Sequence, residues 1–326
     1  MSEREIKNAI VTGPTGAVGT ALVCEMAADG VNVYAVVRPG SKRTGELKKR
    51  YKETVEKKIG CGELHIIECA LPDYRELAKM VPARIDIFYH LAWADTIGDG
   101  RNDTDAQWKN IGYALDAAGA AESVGCRCFI GAGSQAEYGR CSEKLNEKTP
   151  AFPENGYGAA KLCAGQLTRI KCGQAGIDHV WTRILSVYGP GDGCRTMIMG
   201  TISKLLAHEE PALTAGTQLW DYLYSEDAAK ALYLLGKKGK NGRTYCIGSG
   251  KARPLHEYIE ILRDSIDPAL PLGIGKVPYG DKQVMNLQAD ITPLCEDTGF
   301  RPSVEFEKGI EDTIDWVRNK MGEHIS

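Results

Sequence analysis

Three polar residues in the middle of the chain have the types and spacing that proton transfer to a substrate oxygen requires. Tyr157 and Lys161 stand four positions apart, so on a helix their side chains share one face. The pKa of tyrosine is ordinarily near ~10, and a neighbouring ammonium favours the phenolate and lowers it. Ser134 ends a strand-like segment, where its hydroxyl can hold the substrate oxygen by a hydrogen bond. We therefore predict that Ser134, Tyr157 and Lys161 are the catalytic residues.

A second tyrosine–lysine pair shows that this spacing alone is not specific. Tyr233 and Lys237 are also four positions apart. They do not follow a serine at a strand end, so we interpret this pair as ordinary helix packing.

A glycine-rich turn near the start of the chain predicts a phosphate-binding site. Residues 12–19 read TGPTGAVG and connect the strand-like run 9–11 to a helical segment. In that context glycine permits a tight turn and a close approach of the backbone to a pyrophosphate. The helix start adds free N–H groups and the positive end of its dipole. We predict that a dinucleotide contacts Gly13, Thr15, Gly16, Ala17, Val18 and Gly19.

The end of the second predicted strand bears on the choice between NAD and NADP. An acidic residue at that point would accept hydrogen bonds from the adenosine ribose and favour NAD. Here the residue is Arg38, whose guanidinium can stack on adenine and pair bidentately with a 2′-phosphate. We therefore predict NADP, with NAD as the alternative. The further residues expected to contact the cofactor are Leu71, Leu91, Ala92, Tyr157 and Lys161.

Alternating apolar runs and helical patterns must position these residues. Strands are predicted at 9–11, 31–37, 64–69, 85–91, 127–130, 180–185 and 244–247. Apolar strands separated by helices indicate a doubly wound parallel sheet in an α/β fold, with ligands at the carboxyl ends of the strands. We assign residues 1–185, with about 225–250, to a dinucleotide-binding domain. Residues 186–224 and 251–326 are predicted to form a smaller mixed lobe that binds the substrate.

Composition excludes several other classes of protein. The chain has 326 residues, 43% hydrophobic and 25% charged, which is typical of a globular protein of about two domains. No apolar run approaches the ~18 residues of a membrane-spanning helix. A net charge of −3 gives no reason to expect nucleic acid or an anionic membrane as a partner.

The cysteines and histidines predict neither disulfides nor a metal site. The eleven cysteines are scattered without a Cys-x-x-Cys pair, and the six histidines lie far apart in the sequence. The first five residues are polar, so we expect no secretory signal. Reduced thiols and a cytoplasmic location follow as expectations.

Together these motifs resemble the extended short-chain dehydrogenase/reductases of the nucleotide-sugar epimerase/dehydratase type. The resemblance covers essentially the whole chain. It rests on residues 12–19, His90–Ala92, Asn110, Ser134, Tyr138–Gly139, Tyr157–Lys161, Arg183, 187–191, Asp221–Tyr222, Asp227 and 289–291. It implies a Rossmann domain, a lysine that also binds the nicotinamide ribose, a C-terminal lobe holding a nucleoside-diphosphate sugar, and a homodimer formed through the helices of Asn110 and Tyr157.

Three departures from the family pattern affect the expected substrate contacts. Dehydratases of this family carry Thr-Asp-Glu where residues 134–136 read Ser-Gln-Ala, so a 4,6-dehydratase is not expected. Trp220 stands where an arginine commonly grips the diphosphate, and Ser186 replaces a common asparagine. Arg195 is the residue predicted to take over the diphosphate contact. The substrate contacts that we predict are Trp93, Gln135, Arg195 and Trp220.

Two catalytic functions remain open at this point. The first is an NADP(H)-dependent reductase of a keto group on a nucleotide-linked deoxysugar, which Arg38 favours. The alternative is a nucleotide-sugar 4-epimerase that oxidises and re-reduces the same carbon. Both use the same residues, so the sequence does not separate them. His90 is predicted to cap the fourth strand rather than to act as a base.

Overall fold

The computed structural model describes residues 3–56, 58–82 and 84–323. Its strands are β1 (Asn8–Thr12), β2 (Asn32–Val37), β3 (Leu64–Glu68), β4 (Ile87–His90), β5 (Cys128–Ser134), β6 (Asp178–Ile184), β7 (Ser186–Tyr188), β8 (Leu219–Trp220), β9 (Tyr222–Tyr224), β10 (Thr244–Ile247), β11 (Arg253–Pro254) and β12 (Asn286–Leu287). Its α-helices are α1 (Ala17–Ala28), α2 (Thr44–Val55), α3 (Leu77–Met80), α4 (Thr104–Ser123), α5 (Gly156–Gln174), α6 (Met197–Leu206), α7 (Ser225–Lys238), α8 (Leu255–Asp264), α9 (Thr292–Thr298) and α10 (Phe306–Glu323). Three short 3₁₀ helices cover Leu71–Glu76, Gly98–Asn102 and Gln135–Glu137.

The central sheet confirms the predicted doubly wound Rossmann architecture. Its strand order is β10-β6-β5-β4-β1-β2-β3, and every neighbouring pair is parallel. Each of the seven predicted strand segments falls on one of these strands, and β10 has the predicted bounds. Parallel strands need crossover connections, and the intervening helices cover both faces of the sheet.

Each face of the sheet carries its own apolar core. In β1, Ala9 and Val11 pack in the cluster beneath α1 and α7, whereas Ile10 packs in the opposite cluster with Phe88 and Phe129. This follows from the two-residue period of a strand, whose successive side chains point to opposite faces. Because both faces are buried, the strands read as uninterrupted apolar runs.

The C-terminal segments add a smaller lobe around a third apolar cluster. Helices α6, α8 and α10 contribute Ile202, Ile259 and Ile310, and aromatic rings from Tyr188 and Phe306 pack at 4.9 Å between centroids. Two small sheets, β11-β8-β12 and β7-β9, accompany them. The numerical domain boundaries given above stay a prediction.

Two buried aspartates hold the lobe to the sheet. Asp221 accepts hydrogen bonds from the backbone N–H groups of Ser249, Gly250 and Ala289 at 2.7–3.1 Å. Asp227, in the first turn of α7, accepts two backbone N–H groups and one hydroxyl from residues 303–304 at 2.7–2.9 Å. Both aspartates are among the residues on which the family resemblance rests. In the structure their hydrogen bonds hold segments of the fold together.

Candidate active site

The glycine turn has the geometry of a phosphate cradle. Gly13 has a φ of +69°, and a Cβ there would lie 2.9 Å from the backbone nitrogen of Ala92. A Cβ on Gly19 would lie 2.2 Å from the carbonyl oxygen of Gly13. Helix α1 starts just after Gly16, which forms no side-chain cap. The first N–H groups of the helix are therefore available to an anion.

An open cleft of about 410 Å³ lies at the carboxyl ends of the strands. Its walls combine the glycine turn with the catalytic residues predicted from the sequence. The predicted residues that line it are Gly13, Gly16, Ala17, Val18, Gly19, Leu91, Trp93, Ser134, Tyr157 and Lys161. This is the edge at which doubly wound sheets bind their ligands.

The other predicted site residues lie outside the cleft lining. Those on the cofactor side are Thr15, Arg38, Leu71 and Ala92, and those assigned to the substrate are Gln135, Arg195 and Trp220. Arg38 is exposed just after β2, and Ala92 donates its N–H to the Thr12 hydroxyl at 3.3 Å.

The predicted substrate residues have different surroundings. Trp220 donates its indole N–H to the Ser186 hydroxyl at 2.8 Å, so two departures from the family pattern contact each other. The exposed Arg195 has its Nη1 3.9 Å from where a Cβ of Gly98 would stand. Gln135 lies in the 3₁₀ turn that follows β5. None of these three residues lines the cleft with the predicted catalytic residues, and their roles stay predictions.

Ser134 is held at the end of β5 by a buried polar network. Its hydroxyl accepts the N–H of Ala136 at 3.2 Å, and its own N–H donates to Oε1 of Glu137 at 2.8 Å. Glu137 is completely buried and also accepts Nε of Arg183 at 2.7 Å and Nε1 of Trp181 at 3.0 Å. The Ser134 backbone is thus fixed by a paired, fully desolvated carboxylate.

Glycines make room for the indole that closes this network. A Cβ on Gly131, Gly133 or Gly165 would lie within 2.2–2.7 Å of Trp181 ring atoms. Two of these glycines are on β5 and one is on α5, so the ring fits between the sheet and the helix. This contact explains why the sequence around Ser134 is rich in glycine.

Helix α5 presents Tyr157 and Lys161 to the cleft, as their spacing predicts. The helix starts after Asn155, whose side chain accepts the N–H of Gly158 at 2.8 Å. The ammonium of Lys161 donates to the carbonyl of Ala132 at 2.6 Å. It also lies 3.9 Å from the centre of the Trp93 indole and 5.8 Å from the centre of the Tyr157 ring.

Burial dominates the electrostatics of this site. It raises the pKa of Tyr157, and a hydrogen bond with Ser134 and the charge of Arg101 offset this in part. Burial also lowers the pKa of Lys161 to about 7, while Glu137 acts in the opposite direction. In the chain without cofactor, desolvation outweighs the neighbouring charges. The lowering of this pKa by Lys161 together with a positively charged nicotinamide ring stays a prediction.

His90 occupies the position predicted for it, at the end of β4. Its Nδ1 is 3.0 Å from the Thr12 hydroxyl, and burial lowers its pKa to about 3. A ring that stays neutral and buried joins two strand ends and is unsuited to accept a substrate proton.

Sequence reasoning missed three residues of the site. Glu137 was detectable, because Ser134 and Glu137 have the Ser-x-x-Glu spacing of a capping box, which the structure contains. Arg101, whose guanidinium carbon lies 4.5 Å from the Tyr157 ring centre, had no sequence signal. Asp192 lines the cleft in a loop that the sequence predicted only as a loop.

The residues present fit a dinucleotide cofactor. A Cβ added at Gly16 would make only one ordinary contact, with the Gly13 carbonyl oxygen at 3.9 Å, so the helix start is sterically accessible to a pyrophosphate. Gly16, Ala17 and Val18 would hold the phosphates, and Lys161 and Tyr157 would face the nicotinamide half. Within residues 3–56, 58–82 and 84–323, no helix is long and apolar enough to cross a membrane.

Curated proteins similar to this chain include sugar-nucleotide dehydratases. The chain is 28% identical over 202 residues to a dTDP-glucose 4,6-dehydratase of Xanthomonas campestris pv. campestris, covering 58% of this chain and 57% of that protein. It is 27% identical over 182 residues to the dTDP-glucose 4,6-dehydratase of Salmonella typhimurium, covering 53% and 50% respectively. The matches thus span about half the length of these relatives.

Solved structures reproduce the whole fold. A UDP-N-acetylglucosamine 4-epimerase from Methanobrevibacter ruminantium M1, in complex with UDP-N-acetylmuramic acid, has a TM-score of 0.84 at 23% identity, covering 98% of this chain and all of that one. DesIV, a dTDP-glucose 4,6-dehydratase from Streptomyces venezuelae with NAD and TYD bound, has a TM-score of 0.82 at 21% identity, covering 97% and 98%. At such identities the likeness establishes the fold.

The family model that matches this chain covers residues 9–248, from β1 past β10. That range contains the glycine turn, Ser134, Tyr157 and Lys161. The chain therefore belongs to the NAD dependent epimerase/dehydratase family.

Proposed function

We propose that the protein is an NADP(H)-dependent reductase of a keto group on a nucleotide-linked deoxysugar. The observation that carries the proposal is the shared cleft, whose walls include both the glycine turn and Ser134, Tyr157 and Lys161. A proton donor, an oxygen-binding hydroxyl and a dinucleotide cradle in one cleft are what carbonyl reduction requires.

The side chains of the cleft have different roles in the reduction. The nicotinamide cofactor, when bound, supplies the hydride that reduces the carbonyl carbon. Tyr157 gives its hydroxyl proton to the carbonyl oxygen, which completes the alcohol and leaves a phenolate. The Ser134 oxygen accepts the N–H of Ala136, and its hydroxyl shares a hydrogen bond with Tyr157. When the substrate is bound, this hydroxyl donates its hydrogen to the same carbonyl oxygen as charge develops there. Lys161 stabilises the phenolate until a solvent proton restores it.

Carboxyl groups for eliminating water are missing at the equivalent positions. Gln135 and Ala136 replace the acidic pair that the family's dehydratases carry. Glu137 stands next to them, but its carboxylate accepts hydrogen bonds from Ser134, Trp181 and Arg183. These contacts support reduction or epimerisation over dehydration, although the curated relatives above are named as dehydratases.

The preference for NADP rests on the end of β2. Arg38 follows this strand and is exposed, as a group that binds a 2′-phosphate must be. Lys42 and Arg43 follow in the same loop and add positive charge. NAD is the alternative, and structural neighbours such as DesIV are described with NAD.

A 4-epimerase is the second candidate function. The structure with the TM-score of 0.84 is named as a UDP-N-acetylglucosamine 4-epimerase. Tyr157 and Ser134 would then first accept and later return the proton of one hydroxyl. The same site suffices for both functions, so the fate of the cofactor is what separates them.

A nucleotide-linked sugar would extend from the cleft towards the C-terminal lobe. Trp93 lines the cleft and presents an aromatic face to the sugar, and Trp220 lies on β8 of the lobe. Arg195, exposed near Gly98, is proposed to reach the diphosphate.

We also propose a cytoplasmic homodimer. Trp108 on α4 and Leu167 and Ile170 on α5 are exposed, at 71%, 38% and 50% of their surface. Exposed apolar groups on two adjacent helices favour self-association. Eleven free cysteines fit a reducing compartment. Sedimentation velocity should give the mass of a dimer, and a Trp108→Glu variant should sediment as a monomer.

The decisive experiment follows cofactor absorbance while the protein is mixed with a panel of nucleotide-linked keto-sugars and NADPH. A reductase consumes NADPH in proportion to the alcohol formed, and Tyr157→Phe abolishes this consumption. Tightly retained NAD with sugar interconversion and no net NADPH loss would overturn the reductase and establish the epimerase. Absence of turnover by the wild type on every sugar of the panel would contradict both.

A further inference from the structure

We propose that Arg101 is a positioning residue for Tyr157, holding a permanent positive charge across the phenol ring so that the phenolate is stabilised during proton transfer. Its guanidinium carbon lies 4.5 Å from the centre of the Tyr157 ring. This is within the range in which a cation interacts with an aromatic face. The inference rests on the proposed function only in assigning Tyr157 the acid–base step.

Arg101 is fixed in place by the chain around it. It lies in the 3₁₀ helix Gly98–Asn102, and its Nη1 donates to the carbonyl of Thr96 at 3.2 Å. A Cβ on Gly156 would stand only 3.0 Å from the Arg101 carbonyl oxygen, so the 3₁₀ segment packs directly on the start of α5.

Two side-chain contacts clamp the same segment from both sides. The Asn102 side chain accepts the N–H of Gly156 at 3.1 Å. The amide of Gln107 donates to the carbonyl of Gly100 at 2.9 Å. The arginine is therefore attached to the helix that carries Tyr157, and its position over the ring does not depend on a flexible surface loop.

The site has a physical need for this second cation. The Lys161 ammonium lies farther from the phenol, 5.8 Å from the ring centre, and donates instead to the carbonyl of Ala132. Burial lowers the pKa of Lys161 to about 7, so near neutral pH this lysine carries only part of a charge. A guanidinium stays charged throughout the working range. Arg101 is thus the constant positive charge at the phenol.

Other charged groups also act on Tyr157 and must be held unchanged in a test. Lys161 faces it from its own helix, and Glu137 acts on it from the turn after β5 with the opposite sign. Arg183 neutralises Glu137 by direct contact at 2.7 Å. Asp192 lines the same cleft from the C-terminal lobe. None of these residues is altered when Arg101 is replaced.

The test compares R101Q, R101K and the surface control R318Q by two pH-dependent measurements. The first is the ultraviolet absorbance of phenolate in the cofactor-free protein, taken as the difference from the same variant carrying Y157F, which isolates the titration of Tyr157. The second is the pH profile of kcat/KM. We expect R101Q to move the Tyr157 midpoint up by roughly 0.5–1 pH unit in both measurements. R101K should move it less, and R318Q should leave it unchanged.

Each result decides between a charge effect and a structural one. Equal midpoints for R101Q and the wild type would overturn the proposal, as would equal shifts for R101Q and R101K, because only the charge-removing change should have the full effect. If R101Q does not fold, R101K and R101M are compared in its place. A shifted phenolate titration in a protein without turnover would contradict the proposed function and leave the role of Arg101 intact.

Discussion

The backbone N–H of Ser134 donates to the buried carboxylate of Glu137 at 2.8 Å, so a charged side chain with no solvent exposure orients a predicted catalytic serine. The same carboxylate pairs with Arg183, whose side chain is only 7% exposed. A deeply buried ion pair holds the groups around it in one orientation. It adds little to the free energy of unfolding, because the cost of desolvating both charges offsets their attraction.

Removing one member of that pair should be costly, and removing both should cost less. Glu137→Gln leaves the Arg183 guanidinium buried without a counter-charge, and we expect the free energy of unfolding to fall by roughly 3–5 kcal/mol. Glu137→Gln combined with Arg183→Met should recover part of this loss. Urea unfolding of the two single variants and the double variant measures the coupling. If the loss of unfolding free energy in the double variant equals the sum of the losses in the two single variants, Glu137 and Arg183 are not energetically coupled.

Alanine at two glycines of the phosphate turn should separate binding from folding. Gly16→Ala adds a methyl group whose nearest neighbour is the Gly13 carbonyl oxygen at 3.9 Å, an ordinary contact, so stability should hold while dinucleotide affinity falls at least about tenfold. Gly19→Ala places its methyl group 2.2 Å from the Gly13 carbonyl oxygen, so the fold itself should lose roughly 1–3 kcal/mol. Thermal unfolding and cofactor fluorescence titration test the pair. Equal dinucleotide affinities for the wild type and Gly16→Ala would contradict the assignment of this turn as a phosphate-binding site.

Replacing Arg38 should change the cofactor preference and leave the fold unaffected. The side chain is exposed after β2, and a charge-assisted pair with a 2′-phosphate is worth roughly 1.5–3 kcal/mol. Arg38→Ala should therefore weaken NADPH binding about tenfold or more and leave NADH binding nearly unchanged. Isothermal titration with both cofactors measures the ratio, with Arg318→Ala as the matched surface control. An equal loss for both cofactors would remove the basis for predicting NADP.

The buried ammonium of Lys161 should make stability depend on pH. Its pKa is about 7 in the folded chain and ~10.4 when unfolded, so between these values the unfolded chain binds the extra proton. Stability from this group therefore rises as pH increases through that window and is lowest below it. Lys161→Met should be roughly 2–4 kcal/mol more stable than the wild type near about pH 6 and nearly equal near about pH 10.

Urea unfolding at both ends of this window tests the lysine prediction. The exposed Lys230→Met variant serves as the control, and its stability difference from the wild type should not vary with pH. A constant difference between Lys161→Met and the wild type would show that the ammonium keeps its ordinary pKa.

Truncating Asp227 should destabilise the chain without touching the cleft. Its carboxylate is 1% exposed and accepts three hydrogen bonds from Ser303 and Val304. Asp227→Ala leaves these donors unsatisfied, and we expect a loss of roughly 2–4 kcal/mol in unfolding free energy. Cofactor affinity of the folded fraction should stay unchanged. A loss no larger than that of the exposed Asp315→Ala variant would contradict the structural role.

Local patterns determined the framework of this protein. Apolar runs of strand length specified the seven central strands, because both faces of a parallel sheet are buried. The glycine spacing specified the turn before α1, because Gly13 adopts a positive φ and Gly19 lies against its carbonyl. The four-residue separation of Tyr157 and Lys161 placed both on one face of α5, because four residues make about one turn of a helix.

Tertiary structure alone decided which charged side chains lie next to the predicted catalytic residues. Arg101 and Tyr157 are far apart in the sequence, and they meet because the 3₁₀ segment packs on the start of α5. The pairing of Glu137 with Arg183 likewise joins two strand ends. The sequence indicated which groups titrate. It did not indicate that burial would raise the pKa of Tyr157 and lower that of Lys161, because desolvation depends on everything that packs around a group, and only the folded chain supplies those neighbours.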